Sequence, residues 1–258
     1  MILNIAAYRF VAVADPRALA DTLQARAEAA ELRGTVLVAP EGLNLFLAGD
    51  AAALDGFLDA LRADARFADI VVKRSWSRMQ PFGRLKVKVK PEIISYRIDE
   101  AQPLGRDRAP AVEPETLARW IEQGHDDTGR RLVLLDTRNR EEFGYGTFDN
   151  ALTLPIDNFT ELPDALAPHR DALADATVVS FCTGGIRCEK AALHLQASSM
   201  DNLLQLEGGI LNYFERVGGF GYDGRCFVFD GRVALDAQLQ PLVDGEGEGE
   251  GDVISAVA

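Results

Sequence analysis

The chain has 258 residues, with 27 lysines and arginines against 40 aspartates and glutamates, so its formal net charge is -13. A hydrophobic content of 47% and a charged content of 26% are typical of a globular protein and argue against disorder throughout, while the acidic excess argues against a nucleic-acid binder. No apolar run approaches the roughly 20 residues that cross a bilayer, and the first residues do not resemble a secretion signal, so a soluble, cytoplasmic protein is expected. Three cysteines are too few for a disulfide scaffold.

The first hundred residues carry the pattern of a ferredoxin-like α+β sandwich. Apolar spacing, the cap-forming pair Asp15-Pro16 and the turn Pro40–Gly42 separate its elements. The predicted elements are a strand at 2–13, a helix at 16–32, strands at 35–39 and 43–48, a helix that opens at Asp50 and a strand at 69–73. This β-α-β-β-α-β order is that of a split βαβ sandwich.

Charge is segregated along the chain. Residues 73–97 hold eight basic side chains against one acidic side chain, a net charge of +7. Residues 244–252 alternate glycine with acids and contribute -5, which predicts a disordered tail over 244–258. The rest of the chain therefore carries -15, and the average charge describes no single face.

A strict alternation of basic and apolar residues at 84–90 predicts a strand with one cationic face, which carries Arg84, Lys86, Lys88 and Lys90. Trp76, Phe82 and Tyr96 interleave with the cations. Two interpretations stay open. The cations and rings form a nucleic-acid-binding face, or lysines protect an edge strand while the aromatic residues belong to the core.

A second domain is predicted after a linker at 99–113, beginning with a helix at 114–123. From residue 132 onwards strands alternate with helices, which predicts a mostly parallel, helix-covered sheet. Active groups are expected at the carboxyl ends of its strands. The fold class is therefore α/β, with an N-terminal ferredoxin-like sandwich.

A cysteine loop follows the buried strand Val178–Phe181 and leads into a helix at 187–198. The loop reads Cys182-Thr183-Gly184-Gly185-Ile186-Arg187-Cys188. Its glycines let backbone N–H groups converge, the helix directs its positive dipole end there, and Arg187 or Lys190 adds charge. These features predict a low thiol pKa and a nucleophilic Cys182. The alternative, a buried inert cysteine, is disfavoured by the Cys-x-Gly-Gly-x-Arg pattern.

The loop and its surroundings resemble the rhodanese family over residues 112–220. The matching segments are Leu135–Arg138, Glu141–Phe143, Gly146–Phe148, Ala151–Pro155 and Leu206–Gly209. The resemblance implies a persulfide carried on Cys182, with Asp136 and Arg138 as a structural ion pair and loop anchor. The C-x4-R spacing is one residue shorter than that of the related phosphatases, which favours sulfur over phosphate as the cargo.

Taken over residues 1–240, the chain resembles the bacterial tRNA uridine hydroxylase family. The segments that carry this resemblance are Ala39–Asn44, Pro81–Ile94, Cys182–Ala191 and Cys226–Val233. It implies oxygen-dependent conversion of the wobble uridine of tRNA to 5-hydroxyuridine, with Cys182 essential. The implied domains are 1–98 (ferredoxin-like), 114–220 (rhodanese), an extension at 221–243 and the acidic tail, and the basic face is the implied tRNA-binding surface.

No metal or flavin site is predicted. His125, His169 and His194 are widely spaced, and there is no dinucleotide fingerprint. Dioxygen is the implied co-substrate, while the sequence identifies no electron donor and no oligomeric state. Cys188 fits either a resolving thiol or a packing role, and Cys226 fits a structural one. A sulfurtransferase using a Cys182 persulfide is the alternative enzyme, and a non-catalytic tRNA-binding module is the third hypothesis.

Overall fold

The computed structural model describes residues 1–245. The chain forms two compact units, and each is built around its own sheet. Residues 1–95 form most of the first unit, and 96–228 form most of the second. After that the chain alternates: 229–233 belong to the first unit, 234–239 to the second, and the chain from Gln240 to the first again. Residues 246–258, most of the predicted acidic tail, lie outside the described residues.

The first unit is a five-stranded sheet with two helices packed on one face. Its elements are β1 (Ile2–Phe10), α1 (Pro16–Ala29), β2 (Arg33–Ala39), β3 (Gly42–Gly49), α2 (Ala51–Arg62), β4 (Val72–Ser77) and β5 (Leu85–Val89). The strand order is β4-β1-β3-β2-β5. All neighbours are antiparallel except β2 and β5, which are parallel. The predicted ferredoxin-like sandwich is confirmed, with β5 added at its edge.

Local contacts explain where the predicted boundaries were wrong. β1 ends at Phe10 because the amides of Val11 and Val13 bond to carbonyls of the turn before β3. α1 stops at Ala29, three residues early, and two residues later Glu31 adopts a left-handed conformation with φ of 53°. Sequence periodicity predicts neither end. The end of β1 depends on a partner distant in the chain, and the end of α1 is followed by a left-handed backbone that glutamate rarely adopts.

β5 presents different side chains on its two faces. Leu85, Val87 and Val89 pack against the core that the helices cover, so Lys86 and Lys88 project from the opposite face. The predicted cationic alternation is confirmed for Lys86 and Lys88, while Arg84 and Lys90 lie just outside the two ends of the strand. β5 is also an edge strand, so the edge-protection interpretation fits the same geometry.

The predicted aromatic platform beside these cations is wrong for two of its three members. Phe82 and Tyr96 are buried, and burial leaves them no ring face for a ligand. Trp76 is 45% exposed. The last strand of the sandwich also begins later than predicted, at Val72 instead of residue 69, because the amide of Ile70 donates to the carbonyl of Phe67 in a turn before the strand.

The second unit is built on a parallel sheet in the order β6-β11-β10-β7-β9. Its strands are β6 (Ala111–Val112), β7 (Leu132–Asp136), β8 (Gly146–Phe148), β9 (Leu152–Thr153), β10 (Thr177–Phe181), β11 (Leu203–Leu206), β12 (Tyr222–Gly224), β13 (Cys226–Phe227) and β14 (Ala234–Leu235). Its helices are α3 (Pro114–Gln123), α4 (Arg140–Phe143), α5 (Leu162–Leu166), α6 (Arg170–Leu173), α7 (Ile186–Ala197) and α8 (Gly209–Arg216). The expected α/β architecture is confirmed.

Two elements of the second unit differ from what the sequence predicts. The predicted linker at 99–113 contains a short 3-10 helix, Asp99–Ala101, and the edge strand β6. The small antiparallel pairs β8–β12 and β13–β14 accompany the parallel sheet. Among residues 1–245, no helix is long and apolar enough to cross a membrane.

Asp50 is expected to stabilise the first unit by capping α2. Its carboxylate accepts hydrogen bonds from the amides of Ala52 and Ala53, so Asp50→Ala should lower the free energy of unfolding by about 1 kcal/mol. The matched control is Asp59→Ala at an exposed position of the same helix, which should change it by less than about 0.5 kcal/mol. Equal effects in urea unfolding would contradict the capping role.

Candidate active site

Cys182 lies at the carboxyl end of β10, in the loop that turns into α7. Gly185 adopts φ of 98° at the start of the helix, and its amide donates a hydrogen bond to the Cys182 sulfur at 3.1 Å. The Cys182 side chain is fully buried, whereas Thr183 and Gly184 are partly exposed. The loop therefore presents its backbone to solvent and holds the sulfur on its inner side.

Cys188 lies in the first turn of α7, and its side chain is also fully buried. Burial opposes ionisation of Cys182, but a hydrogen bond from Cys188, the charge of Arg187 and the amides of Arg187 and Gly185 together hold the pKa of Cys182 well below its usual range. Burial and the hydrogen bond to Cys182 raise the pKa of Cys188. The opposite directions of the two pKa shifts favour the negative charge on Cys182 and the proton on Cys188.

Arg187 forms a buried, bidentate ion pair with Glu142. The two N–O distances are 2.5 and 2.6 Å. Glu142 is held in turn by a capping box at the start of α4, where its carboxylate accepts from the amide of Asn139 and the Asn139 side chain accepts from the amide of Glu142. A planar guanidinium that is paired through both of its terminal nitrogens has a fixed orientation. The positive charge of Arg187 is therefore held in one place near Cys182.

Glu142 is the site residue that sequence reasoning missed. The sequence places it in a rhodanese-like segment but gives it no role. The available signal was the spacing of Asn139 and Glu142, which is the spacing of a helix capping box. That spacing predicts the local bond to Asn139, although it carries no information about an arginine 45 residues further along the chain.

Asp136 and Arg138 form a second ion pair at the end of β7, with both side chains fully buried. Their shortest contact is 2.6 Å, and Arg138 also donates to the carbonyl of Gly146 at 2.7 Å. The hydroxyl of Thr147 donates to Asp136 at 2.8 Å. Each charge of the pair is thus satisfied by further hydrogen bonds, as a buried ion pair requires, and the pair fixes the segment that leads into α4.

The Gly208-Gly209 turn at the start of α8 lies against the cysteine loop, and the residues after it hydrogen-bond to the loop. The amides of Ile210 and Leu211 donate to the carbonyls of Cys182 and Thr183 at 3.0 and 3.1 Å. Gly209 adopts φ of 69°, and a Cβ there would come within 2.5 Å of the Cys182 carbonyl oxygen. Only glycine permits this approach, so Gly209 allows the amides that follow it to bind the loop carbonyls.

Cys226 lies in β13 and is fully buried. Burial is the main reason that the pKa of Cys226 rises to about 12, so the thiol is protonated at neutral pH. The Thr183 hydroxyl lies 3.4 Å from both a Glu142 carboxylate oxygen and the carbonyl of Phe227. β13 therefore adjoins the exposed side of the cysteine loop, a neighbour that the sequence does not reveal.

The remaining residues predicted for the site fall into two groups. Ile186 and Lys190 are buried on α7 near the loop. The four residues predicted to bind tRNA, Arg84, Lys86, Lys88 and Lys90, belong to β5 and its two ends in the first unit. Within residues 1–245, no group of three or more His, Cys, Asp or Glu side chains is arranged to hold a metal ion.

Comparison with known proteins assigns the chain to a family. Residues 2–93 match the family model described as a UPF0176 acylphosphatase like domain, and residues 113–216 match that of a rhodanese-like domain. A tRNA uridine(34) hydroxylase of Xanthomonas campestris pv. campestris (strain 8004) is 69% identical over 245 residues, which are 95% of this chain and 96% of that protein. The chain belongs to the tRNA uridine(34) hydroxylase family.

Two further members of the tRNA uridine(34) hydroxylase family match with similar coverage. The protein of Xanthomonas euvesicatoria pv. vesicatoria (strain 85-10) is 66% identical and that of Xylella fastidiosa (strain M23) is 61% identical. Each alignment covers 95% of this chain, with 99% and 95% of the respective relative. The family resemblance predicted from the sequence is confirmed.

Removal of the Cys188 thiol should raise the pKa of Cys182. In Cys188→Ala the thiolate loses a hydrogen-bond donor, so its ultraviolet absorbance should disappear at a higher pH than in the wild type during acid titration. Cys188→Ser keeps an O–H donor and should stay closer to the wild type. Cys182→Ser gives the baseline. Coincident curves for the wild type and Cys188→Ala would show that Cys188 does not donate to the thiolate.

Replacement of Gly209 should destabilise the second unit. Gly209→Ala adds a left-handed strain and a close contact with the Cys182 carbonyl, so the free energy of unfolding should fall by about 2 kcal/mol or more. Gly184→Ala is the control for stability, because a Cβ at Gly184 meets no atom within 4 Å. Chemical unfolding that gives both variants the same stability would contradict the close approach at Gly209.

Proposed function

We propose that this chain hydroxylates C5 of the wobble uridine of tRNA, with Cys182 as the reacting group. The observation that carries the proposal is a buried cysteine just before a helix, whose sulfur accepts from the Gly185 amide in a loop that also holds Arg187, itself oriented by Glu142. It is supported by the family, whose members are named for tRNA uridine hydroxylation and match this chain over nearly its whole length. The chain is then a tRNA-modifying oxidoreductase.

The proposed reaction replaces the C5–H bond of the uracil ring with C5–OH. One oxygen atom of dioxygen enters the base, and the other leaves as water after a reductant supplies two electrons and two protons. Cys182, as thiolate or persulfide, acts on or near the ring, while the amides of Gly185 and Arg187 stabilise developing negative charge. Dioxygen is the proposed co-substrate, and the reductant is a separate two-electron donor.

The uridine is proposed to reach the loop from the side of Thr183 and Gly184. These two residues are partly exposed, and there is open space beside Gly184 where a Cβ would meet no atom. A wobble base lies in a single-stranded loop, so it can be unstacked and presented to a protein at lower cost than a base in a duplex. Because Cys182 itself is buried, a sulfur carried on it as persulfide would extend its reach.

We further propose a division of labour between the two units. The first unit, with its cationic face on β5, binds tRNA by charge, and the second supplies Cys182. The proposed boundaries remain 1–98 for the first domain and 114–220 for the rhodanese domain. A tRNA substrate supports a cytoplasmic location, which forms part of this proposal.

Sulfur transfer is the second candidate function. The match of residues 113–216 to the rhodanese-like domain favours it, because that domain carries the same cysteine loop. In this alternative, the Cys182 thiolate takes sulfane sulfur from a donor such as thiosulfate, releases sulfite and passes the sulfur to an acceptor nucleophile. Both candidates require Cys182, but only hydroxylation adds an oxygen atom at C5 of uridine.

Nucleoside mass spectrometry distinguishes the two candidates. A deletion strain with no second route to 5-hydroxyuridine should lack this nucleoside and its derivatives in tRNA. The wild type should restore them, and Cys182→Ala should stay at the level of the deletion strain. Asp59→Ala, checked for equal protein level, should restore them fully.

Each other result assigns a different function. Unchanged 5-hydroxyuridine in the deletion strain would end the hydroxylase proposal. Thiocyanate formation from thiosulfate and cyanide by the purified protein, together with that result, would support the sulfurtransferase. Restoration by Cys182→Ala would keep tRNA modification but remove Cys182 from the chemistry.

A further inference from the structure

The sheet of the first unit carries aromatic rings on the face opposite its helices, part of which is buried where Asn44 bonds to the carbonyl of Ile93. The register pairs Lys73 with Ala6, Ala6 with Phe46, Phe46 with Thr35, and Thr35 with Lys86. Residues that pair directly across strands share one face, so these five side chains form a single row across all five strands. Phe46 occupies the centre of this row, and a lysine occupies each end.

A second row lies beside the first. It runs from Tyr8 through Asn44 and Leu37 to Lys88. Tyr8 is thus a diagonal neighbour of Phe46, at a spacing of about 7–8 Å between backbones. Phe10, two residues along β1, contacts Tyr8 edge-on with ring centroids 5.8 Å apart. Three aromatic rings therefore cluster on the adjacent strands β1 and β3.

These rings are not part of the core that the helices cover. The aromatic residues of that core, Phe57 and Phe67, are buried, whereas Tyr8, Phe10 and Phe46 are all partly exposed. A partly exposed ring on a sheet face has surface available for stacking. We define Tyr8, Phe10 and Phe46 as the ring cluster.

Positive charge surrounds the ring cluster. The Lys73 ammonium lies 5.6 Å from the centroid of the Tyr8 ring, and Lys86 and Lys88 flank the cluster from β5. Two arginines of the basic segment are neutralised elsewhere: Arg74 pairs with Asp55 of α2, and Arg78 pairs with Asp244. Lys86 and Lys88, by their pairing with Thr35 and Leu37, lie on the same face of the sheet as the rings.

We propose that this sheet face is a stacking platform for unpaired RNA nucleotides, with the ring cluster contacting bases and Lys86 and Lys88 contacting phosphates. A four-stranded sheet with aromatic residues on its two central strands is a known solution for single-stranded RNA, because every base offers a flat π-face. A duplex hides those faces within its stack. The proposal rests on the proposed function only in taking the RNA to be tRNA.

The test compares ring loss with ring conservation. Tyr8→Leu and Phe46→Leu should each weaken binding of a short oligouridylate, and of the unmodified tRNA transcript, by about fivefold or more. Tyr8→Phe and Phe46→Tyr keep the rings and should bind within about twofold of the wild type. A fully paired RNA duplex should bind the wild type and the leucine variants alike.

Salt dependence separates stacking from charge. The leucine variants should keep the wild-type slope of log affinity against log salt for oligouridylate, since they lose no cation. Lys86→Gln and Lys88→Gln should each reduce that slope by about 0.7. An unchanged slope in the lysine variants would assign them to edge protection and overturn the charged half of the platform.

Photo-crosslinking tests the wild type directly and does not depend on the folding of any variant. Oligouridylate containing 5-iodouridine should crosslink to Tyr8 or Phe46, as identified by peptide mass spectrometry. Crosslinks confined to other residues, or leucine variants that bind oligouridylate as tightly as the wild type, would overturn the proposal. Equal, ring-dependent binding of polyglutamate would assign the face to an acidic peptide and also overturn it.

The outcome is independent of the hydroxylase assignment. Ring-dependent RNA binding in a protein whose deletion leaves 5-hydroxyuridine unchanged would keep the platform and reject the proposed function. Normal 5-hydroxyuridine from Tyr8→Leu and Phe46→Leu, with unaltered RNA affinity, would reject the platform and keep the function.

Discussion

The cysteine loop of the second unit depends on compensation for the burial of Cys182, because burial opposes a negative charge on its sulfur. Burial alone would keep Cys182 neutral, so each source of compensation has to be held in place by another part of the fold. Glu142 orients Arg187, the Gly208-Gly209 turn binds the loop carbonyls, and α7 supplies its first amides. The positions of β7, β10 and β11 in one parallel sheet bring these parts together from segments far apart in sequence.

The same dependence explains how much of the site could be predicted. Cys182, the glycines and Arg187 lie within six residues of one another, so the sequence shows them as one pattern. Glu142 could not be recognised, because its partner Arg187 is distant in the chain and only the fold brings them into contact. Gly209 appears as a turn residue in the sequence, but its closeness to the Cys182 carbonyl is a tertiary fact.

The first unit shows a comparable division. Alternation at residues 84–90 correctly predicted which face the lysines of β5 occupy, since a strand has a fixed period of two. The aromatic partners could not be found in the same way. Rings close in sequence, such as Phe82, are buried, while Tyr8 and Phe46 meet only through strand register. Register is fixed only once two strands pair, and the alternation within one strand does not show which distant strand becomes its neighbour.

The path of the chain after residue 228 has a consequence for how the molecule can be divided. Between Val228 and Gln240 the backbone passes from one unit to the other three times, and Arg232 on the way donates to Ser75 of the first unit. A gene fragment that stops at the end of the rhodanese match would therefore omit a piece of both units. Both units take residues from this one C-terminal segment, so its deletion is expected to destabilise both.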